Sequence, residues 1–391
     1  MDIMKASAEW ATRPADESFF TLADARVKAA EHKASSVEFE RPWSDLRVEA
    51  SGPAVALVGK AGVPAALTHY AFGQLAAKAS FPAEPLRRLP ATLACQVLNH
   101  QIKATIAQDA TAAMMAHKNG ALRVQCVTSE KYARYWNADL LDLLDDRLTP
   151  MGWRTPPARP SPSREADPRI RPATEQDVID WGTLGGGAAI KVGDQIGPAG
   201  VYASDHDCFV LLTLPGRSLE VPGAVLNKFL LLWNSEVGDR ALGGMTGYLD
   251  MVCGNHILWG ARNVSEFSIR HVGEVEQRFG QVSFDLRRYA DDSVSEDQAK
   301  IVMAQNTILG GSKADVLEAL LGINAKKRLG LSQTIMESAY DAAERTPRYG
   351  NPRAVWGIVN GLTEVSQALP YQEDRVKVDR AAGRLMDAVT F

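Results

Sequence analysis

The chain has little cysteine and no long apolar run. Its 391 residues include four cysteines, and no two of them form a CxxC pair. Scattered cysteines in a chain of this length are typical of reduced thiols rather than of a disulfide framework. The longest apolar run, FLLLW at 229–233, is far shorter than the about 20 residues of a transmembrane helix. The first 20 residues contain no apolar h-region, so we expect neither secretion nor membrane insertion.

The motifs that identify many enzymes are also missing. The sequence contains no GxxxxGK[ST], HExxH or GxSxG motif and no EF-hand loop, which argues against the corresponding nucleotide, zinc, hydrolase and calcium sites. The glycine-rich stretch GTLGGG at 182–187 departs from GxGxxG and follows no clear strand, so it is interpreted as a flexible loop. We therefore expect no cofactor.

Histidine and charge add two further exclusions. Only Cys253 and His256 have a spacing that suits zinc, and they would need distant partners such as Cys208 and His206. We expect no metal site. The net charge of -4 excludes a generally basic protein, so any contact with nucleic acid must come from a local cluster of cations.

The apolar periodicity of the first 153 residues indicates mixed helix and strand. Thr68 suits the N-cap of one helix, and Asn119-Gly120 suits the end of another. The predicted helices cover 17–33, 67–79, 90–116 and 129–148, the last capped by Thr128 or Ser129, and the predicted strands cover 46–50, 54–59 and 121–128.

The rest of the chain changes character three times. Residues 154–172 concentrate proline and arginine, which is typical of a solvated linker or an exposed insertion. Residues 199–288 alternate apolar runs with turn residues, which predicts a β meander, and residues 295–391 show helical spacing broken at Pro347 and Pro352. These patterns predict an α+β fold: an antiparallel β-sheet or meander packed with helices, and a helical C-terminal region. The predicted regions are 1–153, 154–174, 175–290 and 291–391.

The densest group of reactive side chains lies between residues 234 and 260, in NSEVGDRALGGMTGYLDMVCGNHILWG. A thiol beside an imidazole, Cys253 and His256, with Glu236 or Asp239 as a further working group, would form a nucleophilic site. The other interpretation is a buried polar seam, because a cysteine at a strand end usually packs as a small apolar residue. The sequence favours the seam and leaves the enzyme as the alternative.

Six runs of sequence, in this order, carry a resemblance to a known family. They are LTHYAFGQLAAKASFPAEPLRRLP, LRVQCVTSEKYARYWNADLL, VYASDHDCFVLL, NSEVGD, CGNHILWG and AVWGIVNGLTEVSQ. Together, from about residue 45 to 385, they resemble the phage/plasmid-like family of domain of unknown function 932. The resemblance implies a protein of mobile elements that acts in the cytoplasm of a bacterial host. Mobile elements often encode single-strand annealing proteins, which implies a role in recombination or replication.

The hypothesis drawn from this context is a homo-oligomer that binds and anneals single-stranded DNA without nucleotide. Such a protein needs cations along the phosphates and aromatic faces for the bases. The main candidates are Arg123, Lys131, Tyr132, Arg134, Arg262, Arg270, Lys326, Lys327 and Arg328. Tyr135 and Trp136 extend the first cluster, and Arg345, Arg348, Tyr349 and Arg353 form another. A phage structural or host-takeover protein that works by protein contacts remains a further alternative.

Overall fold

The structure is a computed structural model of the chain. It describes residues 15–60, 62–107, 110–119, 121–157, 167–181, 190–198, 200–215, 218–221, 224–250, 256–257, 266–291, 295–327, 329–369 and 372–389. In chain order, the strands are β1 (Ser18–Phe19), β2 (Ser36–Pro42), β3 (Arg47–Ser51), β4 (Ala54–Val58), β5 (Pro64–Leu67), β6 (Thr111–Asn119), β7 (Ala121–Thr128), β8 (Arg171–Pro172), β9 (Gln195–Ile196), β10 (Val201–Ala203), β11 (Asp207–Thr213), β12 (Leu219–Val221), β13 (Ala224–Ser235), β14 (Leu242–Asp250), β15 (His256–Ile257) and β16 (Glu266–Ile269).

The α-helices fall mostly in two groups, before residue 150 and after residue 274. In chain order they are α1 (Leu22–Ser35), α2 (His69–Lys78), α3 (Ala83–Arg87), α4 (Ala91–Thr105), α5 (Asn137–Leu148), α6 (Glu175–Trp181), α7 (Val275–Asp291), α8 (Ser295–Asn306), α9 (Lys313–Lys327), α10 (Gln333–Arg345), α11 (Val355–Ala368) and α12 (Gln372–Val389). Within the described residues, none of them is both long and apolar enough to cross a bilayer.

A six-stranded sheet dominates the N-terminal region. Its strand order is β2-β6-β7-β5-β4-β3, and only the β5–β7 pair is parallel. Apolar residues on one face of the sheet pack against α2 and α4, where Leu75 and Leu98 are fully buried. Met115 of β6 and Cys126 of β7 pack instead against Val237, which lies in the turn after β13.

The second sheet has eight strands and is built around the long hairpin of β13 and β14. Its main path is β1-β10-β11-β13-β14-β15, with β12 paired to β13 and β16 paired to β14. Helices α1, α5 and α7 cover one face and share a core with Val210, Leu230 and Leu232. This sheet therefore contains strands that are far apart in the sequence, from β1 at residue 18 to β16 at residue 269.

The C-terminal helices form their own core against the far end of the long hairpin. Trp356 and Leu385 pack there with Leu226 and Tyr248 from β13 and β14. Helices α10 and α11 cross closely at Gly361, where a Cβ atom would lie 2.0 Å from the carbonyl oxygen of Ala339. The observed architecture confirms the predicted α+β class and the helical C-terminal region.

Three predicted elements differ from the structure. The helix predicted over 90–116 ends at Thr105, and residues 111–119 form strand β6 between β2 and β7. Alanine favours helices in isolation, but pairing on both edges of the strand and burial of Met114 and Met115 override that preference. The helix predicted from residue 129 begins at Asn137, and residues 275–288, assigned to the β region, belong to helix α7.

The described ends of the proline- and arginine-rich segment, predicted as a linker or an exposed insertion, contact the rest of the protein, although Pro168 and Pro172 are exposed. Thr155, Pro156 and Pro157 are buried, and Arg154 pairs with Thr213 through its backbone. At the other end Arg169 donates hydrogen bonds to Asp167 and to the carbonyl oxygen of Ser18. Residues 158–166 lie outside the described residues.

Candidate functional site

The first four residues of the polar run NSEVGD, which begins at the end of β13, are buried between the two sheets. The Glu236 carboxylate is fully buried, and its Oε1 accepts a hydrogen bond of 2.6 Å from the backbone N–H of Asn137. Trp136, at the N-cap of α5, offers no side-chain acceptor to that helix. A carboxylate satisfies an unpaired N–H and interacts favourably with the helix dipole. Glu236 therefore supplies, from the end of β13, the cap that α5 lacks locally.

The second oxygen of this carboxylate lies near α1. Glu236 Oε2 is 3.3 Å from His32 Nε2, and His32 is itself buried. Asn234 extends the same contact region, because its side-chain amide donates to the carbonyl oxygen of Tyr135 and to Asn137 Oδ1. The end of β13 thus holds both α1 and the start of α5.

Arg134 lies in the same seam rather than on the surface. Its side chain is 5% exposed and donates to the Glu38 carboxylate and to the carbonyl oxygen of Glu236. Its third nitrogen is 3.5 Å from Cys126 Sγ. Burial raises the pKa of the Cys126 thiol, although Arg134 acts in the opposite direction. The guanidinium is therefore committed to internal partners.

The turn between β10 and β11 closes the seam from another side. The carbonyl oxygen of His206 accepts from the backbone N–H of Glu236 and from Ser235 Oγ, both at 3.1 Å. Asp205 accepts from His206 at 2.9 Å and from Gln125 at 3.2 Å. These contacts, the bond from His206 first, lower the pKa of Asp205 to about 2.

Two side chains connect the seam directly to the six-stranded sheet. Gln74 donates to the carbonyl oxygen of Val237 and accepts from the backbone N–H of Val127. The Tyr132 hydroxyl donates to the carbonyl oxygen of Ser235 at 2.9 Å. Buried hydrogen bonds of this kind favour one arrangement of the elements that carry them, although Asn137 Nδ2, Asn234 Oδ1 and Glu236 Oε2 have no hydrogen-bond partner among the residues that the structure describes. The geometry around Glu236 is that of a buried polar seam.

The alternative site built from Cys253, His256 and Glu236 is not assembled. His256 pairs with Leu249, which pairs with Asn227 on β13, nine residues before Glu236. At about 3.3 Å per residue this places His256 roughly 30 Å from Glu236. Cys253 lies outside the described residues. Asp239 carries an ion pair with Arg240, at the Glu236 end of the hairpin.

The distant metal partners considered for Cys253 and His256 lie at the wrong end of the same hairpin. Cys208 pairs with Asn234, beside Glu236, and His206 lies in the preceding turn. Among the residues described, no group of three histidine, cysteine, aspartate or glutamate side chains has an arrangement that would hold a metal ion.

The predicted nucleic-acid residues are scattered. Tyr132 and Arg134 are engaged in the seam, whereas Arg123 is exposed on β7, and Lys326 and Lys327 are exposed at the end of α9. Arg262 and Arg328 lie outside the described residues.

The additional residues of the predicted basic and aromatic clusters also contact other parts of the protein. Tyr135 is buried, Trp136 packs in the cluster around Met115, and Tyr349 is buried. Arg345 pairs with Glu364 at 2.7 Å, and Arg353 donates to the carbonyl oxygen of Gly311. Arg348 is half-buried over the ring of Tyr349.

Two of the predicted cations, Lys131 and Arg270, lie on segments that pair with each other. They stand at opposite ends of the paired stretch, because the antiparallel register sets Arg134 rather than Lys131 opposite Arg270. Tyr132 and Val272 form an antiparallel bridge, and the backbone N–H of Ala133 donates to the carbonyl oxygen of His271 at 2.9 Å. Lys131 and Arg270 flank this bridge, and both are exposed. Arg278, from the first turn of α7, contacts the loop before the helix, because its side chain donates to the carbonyl oxygens of Arg270 and Val272.

The outer face of α7 is a site that the sequence reasoning missed. Phe284 is 63% exposed there, and Arg287 and Arg288 follow it by three and four residues, which places them beside it on a helix. The signal was available, because Val275, Phe279, Val282, Leu286 and Tyr289 repeat at helical spacing. Residues 275–288 were predicted to belong to the β region, so the exposed helical face with Phe284 was not predicted.

The comparisons with known proteins give one match. The model of the domain of unknown function DUF932 matches residues 188–382, about half of the chain. The match contains four of the six resembling runs and leaves out the two N-terminal ones, so it is shorter than the resemblance drawn from the sequence. No curated protein and no solved structure matches the chain. The chain belongs to the DUF932 family.

Proposed function

We propose that the protein binds single-stranded DNA along the outer face of α7, as a nucleotide-independent annealing factor of a phage or plasmid. The observation that carries the proposal is the exposed ring of Phe284 between polar and cationic side chains. Single-strand binding proteins stack bases on aromatic faces and neutralise the phosphates with neighbouring cations. The outer face of α7 offers both groups.

Phe284 is unusual among the phenylalanines of the chain. The rings of Phe209, Phe229 and Phe279 are almost completely buried, whereas Phe284 leaves 63% of its surface in water. Gln277 and Gln281 continue its line along the helix and are exposed. An exposed aromatic ring on a polar surface has a free face that a base can cover.

The cations beside the ring are free to meet phosphate. Arg287 and Arg288 are exposed, and neither forms an ion pair within the part of the chain that the structure describes. Glu276 and Asp285 lie on the same helix and reduce the local charge. Arg270 is exposed five residues before the helix begins, and Lys131 is exposed on the segment that bridges to Val272. From residue 277 to residue 288 the stripe is roughly 16 Å long.

A binding assay with a fluorescent oligothymidylate tests the proposal. Phe284→Ala should weaken binding about tenfold, since one base–aromatic stack contributes about 1–3 kcal/mol. The matched control is Ile179→Ala, which removes another exposed apolar side chain, 70% exposed, from a different helix. Equal affinity of Phe284→Ala and the native chain would refute stacking on this ring, and no binding at low salt would refute the function.

The phosphate contacts have a separate signature. The double variant Arg287→Gln/Arg288→Gln should lower the slope of log affinity against log salt by about 1.4, because each phosphate contact on a single strand contributes about 0.7. An unchanged slope would exclude these two arginines from the contact.

Annealing by an oligomer is tested by mass. Light scattering should give a multiple of 42.4 kDa for the chain with an oligonucleotide bound. If the chain binds the oligonucleotide as a monomer, the proposed DNA binding stands and the proposed annealing by an oligomer is refuted.

A further inference from the structure

A cleft of about 410 Å³ opens at one end of the six-stranded sheet. It lies where α2 and α4 end, β6 begins and β7 has just ended. Its volume is within the range of small-molecule sites, which is roughly 300–1,000 Å³. The polar groups that line it include Lys78, Thr105, Thr111, Ser129, Glu130 and Lys131.

Two lysines of this cleft lack a carboxylate partner at contact distance. Neither Lys78 nor Lys131 forms an ion pair within the described residues. Burial lowers the pKa of Lys78, and nearby Glu130 only partly opposes that effect. Glu130 is itself engaged, since its Oε1 accepts from the backbone N–H of Thr111 at 3.2 Å. A half-buried ammonium without a partner is stabilised when an anion enters.

We infer that this cleft binds a phosphomonoester. Two ammonium groups and the hydroxyl of Ser129 match a group that carries close to two negative charges and three acceptor oxygens. A phosphodiester of the DNA backbone carries only one negative charge, and the strand continues on both sides of it, so it matches this cleft less well than a terminal phosphate. The remaining volume leaves room for whatever the phosphate is attached to.

The phosphomonoester has two sources with the same chemistry: the 5′ end of a DNA strand or a free phosphorylated compound. Lys131 precedes Tyr132, whose bridge to Val272 leads into α7, so the cleft lies near the start of the proposed strand-binding face. This location favours the strand end, and that choice of source rests on the proposed function.

Calorimetric titration with phenyl phosphate tests the site itself, with phenyl sulfate as the matched singly charged probe. Phenyl phosphate should bind, phenyl sulfate should bind at least tenfold more weakly, and Lys78→Gln and Lys131→Gln should each reduce phenyl phosphate affinity at least tenfold. Lys103→Gln is the control, because Lys103 is an exposed lysine of α4 outside the cleft. No binding of phenyl phosphate to the native chain, or equal binding by the Lys78 and Lys103 variants, would overturn the inference.

Oligothymidylates with a 5′-phosphate or a 5′-hydroxyl identify the source. The 5′-phosphate should raise affinity at least fivefold in the native chain and not in Lys78→Gln. Equal affinity of the two strands, with phenyl phosphate still bound, would overturn the strand-end source and leave the proposed DNA binding intact. Binding of phenyl phosphate without binding of either strand would instead overturn the proposed function and keep the cleft.

Discussion

The seam around Glu236 and the outer face of α7 contain similar side chains in opposite situations. In the seam, Arg134 lies between the rings of Tyr132 and Trp136, with centroids 5.3 and 5.5 Å away, and its nitrogens all have internal partners. On α7, Phe284 and the arginines beside it point into water. Basic and aromatic residues close in sequence therefore do not distinguish a binding face from an internal brace. The distinction lies in which polar groups are already satisfied.

The largest effect that tests this contrast is the loss of the Glu236 carboxylate. Glu236→Ala should lower the free energy of unfolding by about 3–5 kcal/mol, since it leaves the buried N–H of Asn137 without its acceptor and opens a cavity beside the buried His32. Urea denaturation measures the change. Glu276→Ala removes an exposed carboxylate from α7 and should change stability by less than about 0.5 kcal/mol. A similar small loss for both variants would contradict a bracing role for the seam.

The pH dependence of stability gives the next largest effect. Burial lowers the pKa of His271 from 6.5 to about 4, although its Nδ1 donates to the carbonyl oxygen of Ala133. The unfolded chain therefore binds more protons between these values, and stability that is present above pH 6.5 is lost as the pH falls toward 4. The loss should approach about 3 kcal/mol.

His271→Phe separates this group from the others that titrate in acid. The variant keeps a ring beside Tyr132, whose centroid is 5.2 Å from that of His271, and should flatten the profile between pH 6.5 and 4. The ionised Asp205 contributes stability that is lost only as the pH falls from 3.8 toward about 2, so its window is separate. An unchanged slope between pH 6.5 and 4 in the variant would assign the acid sensitivity to other groups.

Local sequence patterns predicted those helices that are determined by their own caps and apolar spacing. Thr68 accepts from the backbone N–H of Ala71, as its position before an apolar helix predicted, and the helices after residue 295 follow their apolar spacing. Strand β6 was not predicted, because it is stabilised as a strand by pairing with β2 and β7 and not by its own alanine-rich sequence. The start of α5 was missed because its cap, Glu236, lies 99 residues away.

The candidate site was harder to predict, for a physical reason. In sequence, Glu236 and His256 are 20 residues apart and seem to belong to one cluster, but the register of β13, β14 and β15 carries them to opposite ends of a hairpin. Whether Arg134 faces water or a carboxylate depends on Glu38, which comes from strand β2, 96 residues earlier in the chain. Of the features discussed, only the exposed face of α7 could have been predicted from local sequence, through the helical spacing of its apolar residues.

A smaller effect tests the packing of the long hairpin that carries the seam. Gly243 lies opposite Trp233, and a Cβ atom there would be 2.6 Å from the indole ring. Gly243→Ala should therefore reduce stability by about 1–3 kcal/mol, as overpacked cores do. Thermal and urea unfolding of the variant would measure this. A neutral result would mean that Trp233 can move and that the hairpin is less rigid than the seam requires.

The smallest effect concerns Gly280 in α7. A Cβ atom there would meet nothing within 4 Å, and the backbone is helical, so Gly280→Ala should raise stability by about 0.5–1 kcal/mol through helix propensity. Urea unfolding would detect the gain, and oligonucleotide affinity should stay within about twofold of the native value, since one exposed methyl group adds little. Gly243→Ala is the matched glycine variant, with the opposite sign. A gain in stability together with a tenfold loss of affinity would show that the DNA backbone approaches α7 more closely at Gly280 than stacking on Phe284 requires, and the binding face would then have to be centred one turn earlier.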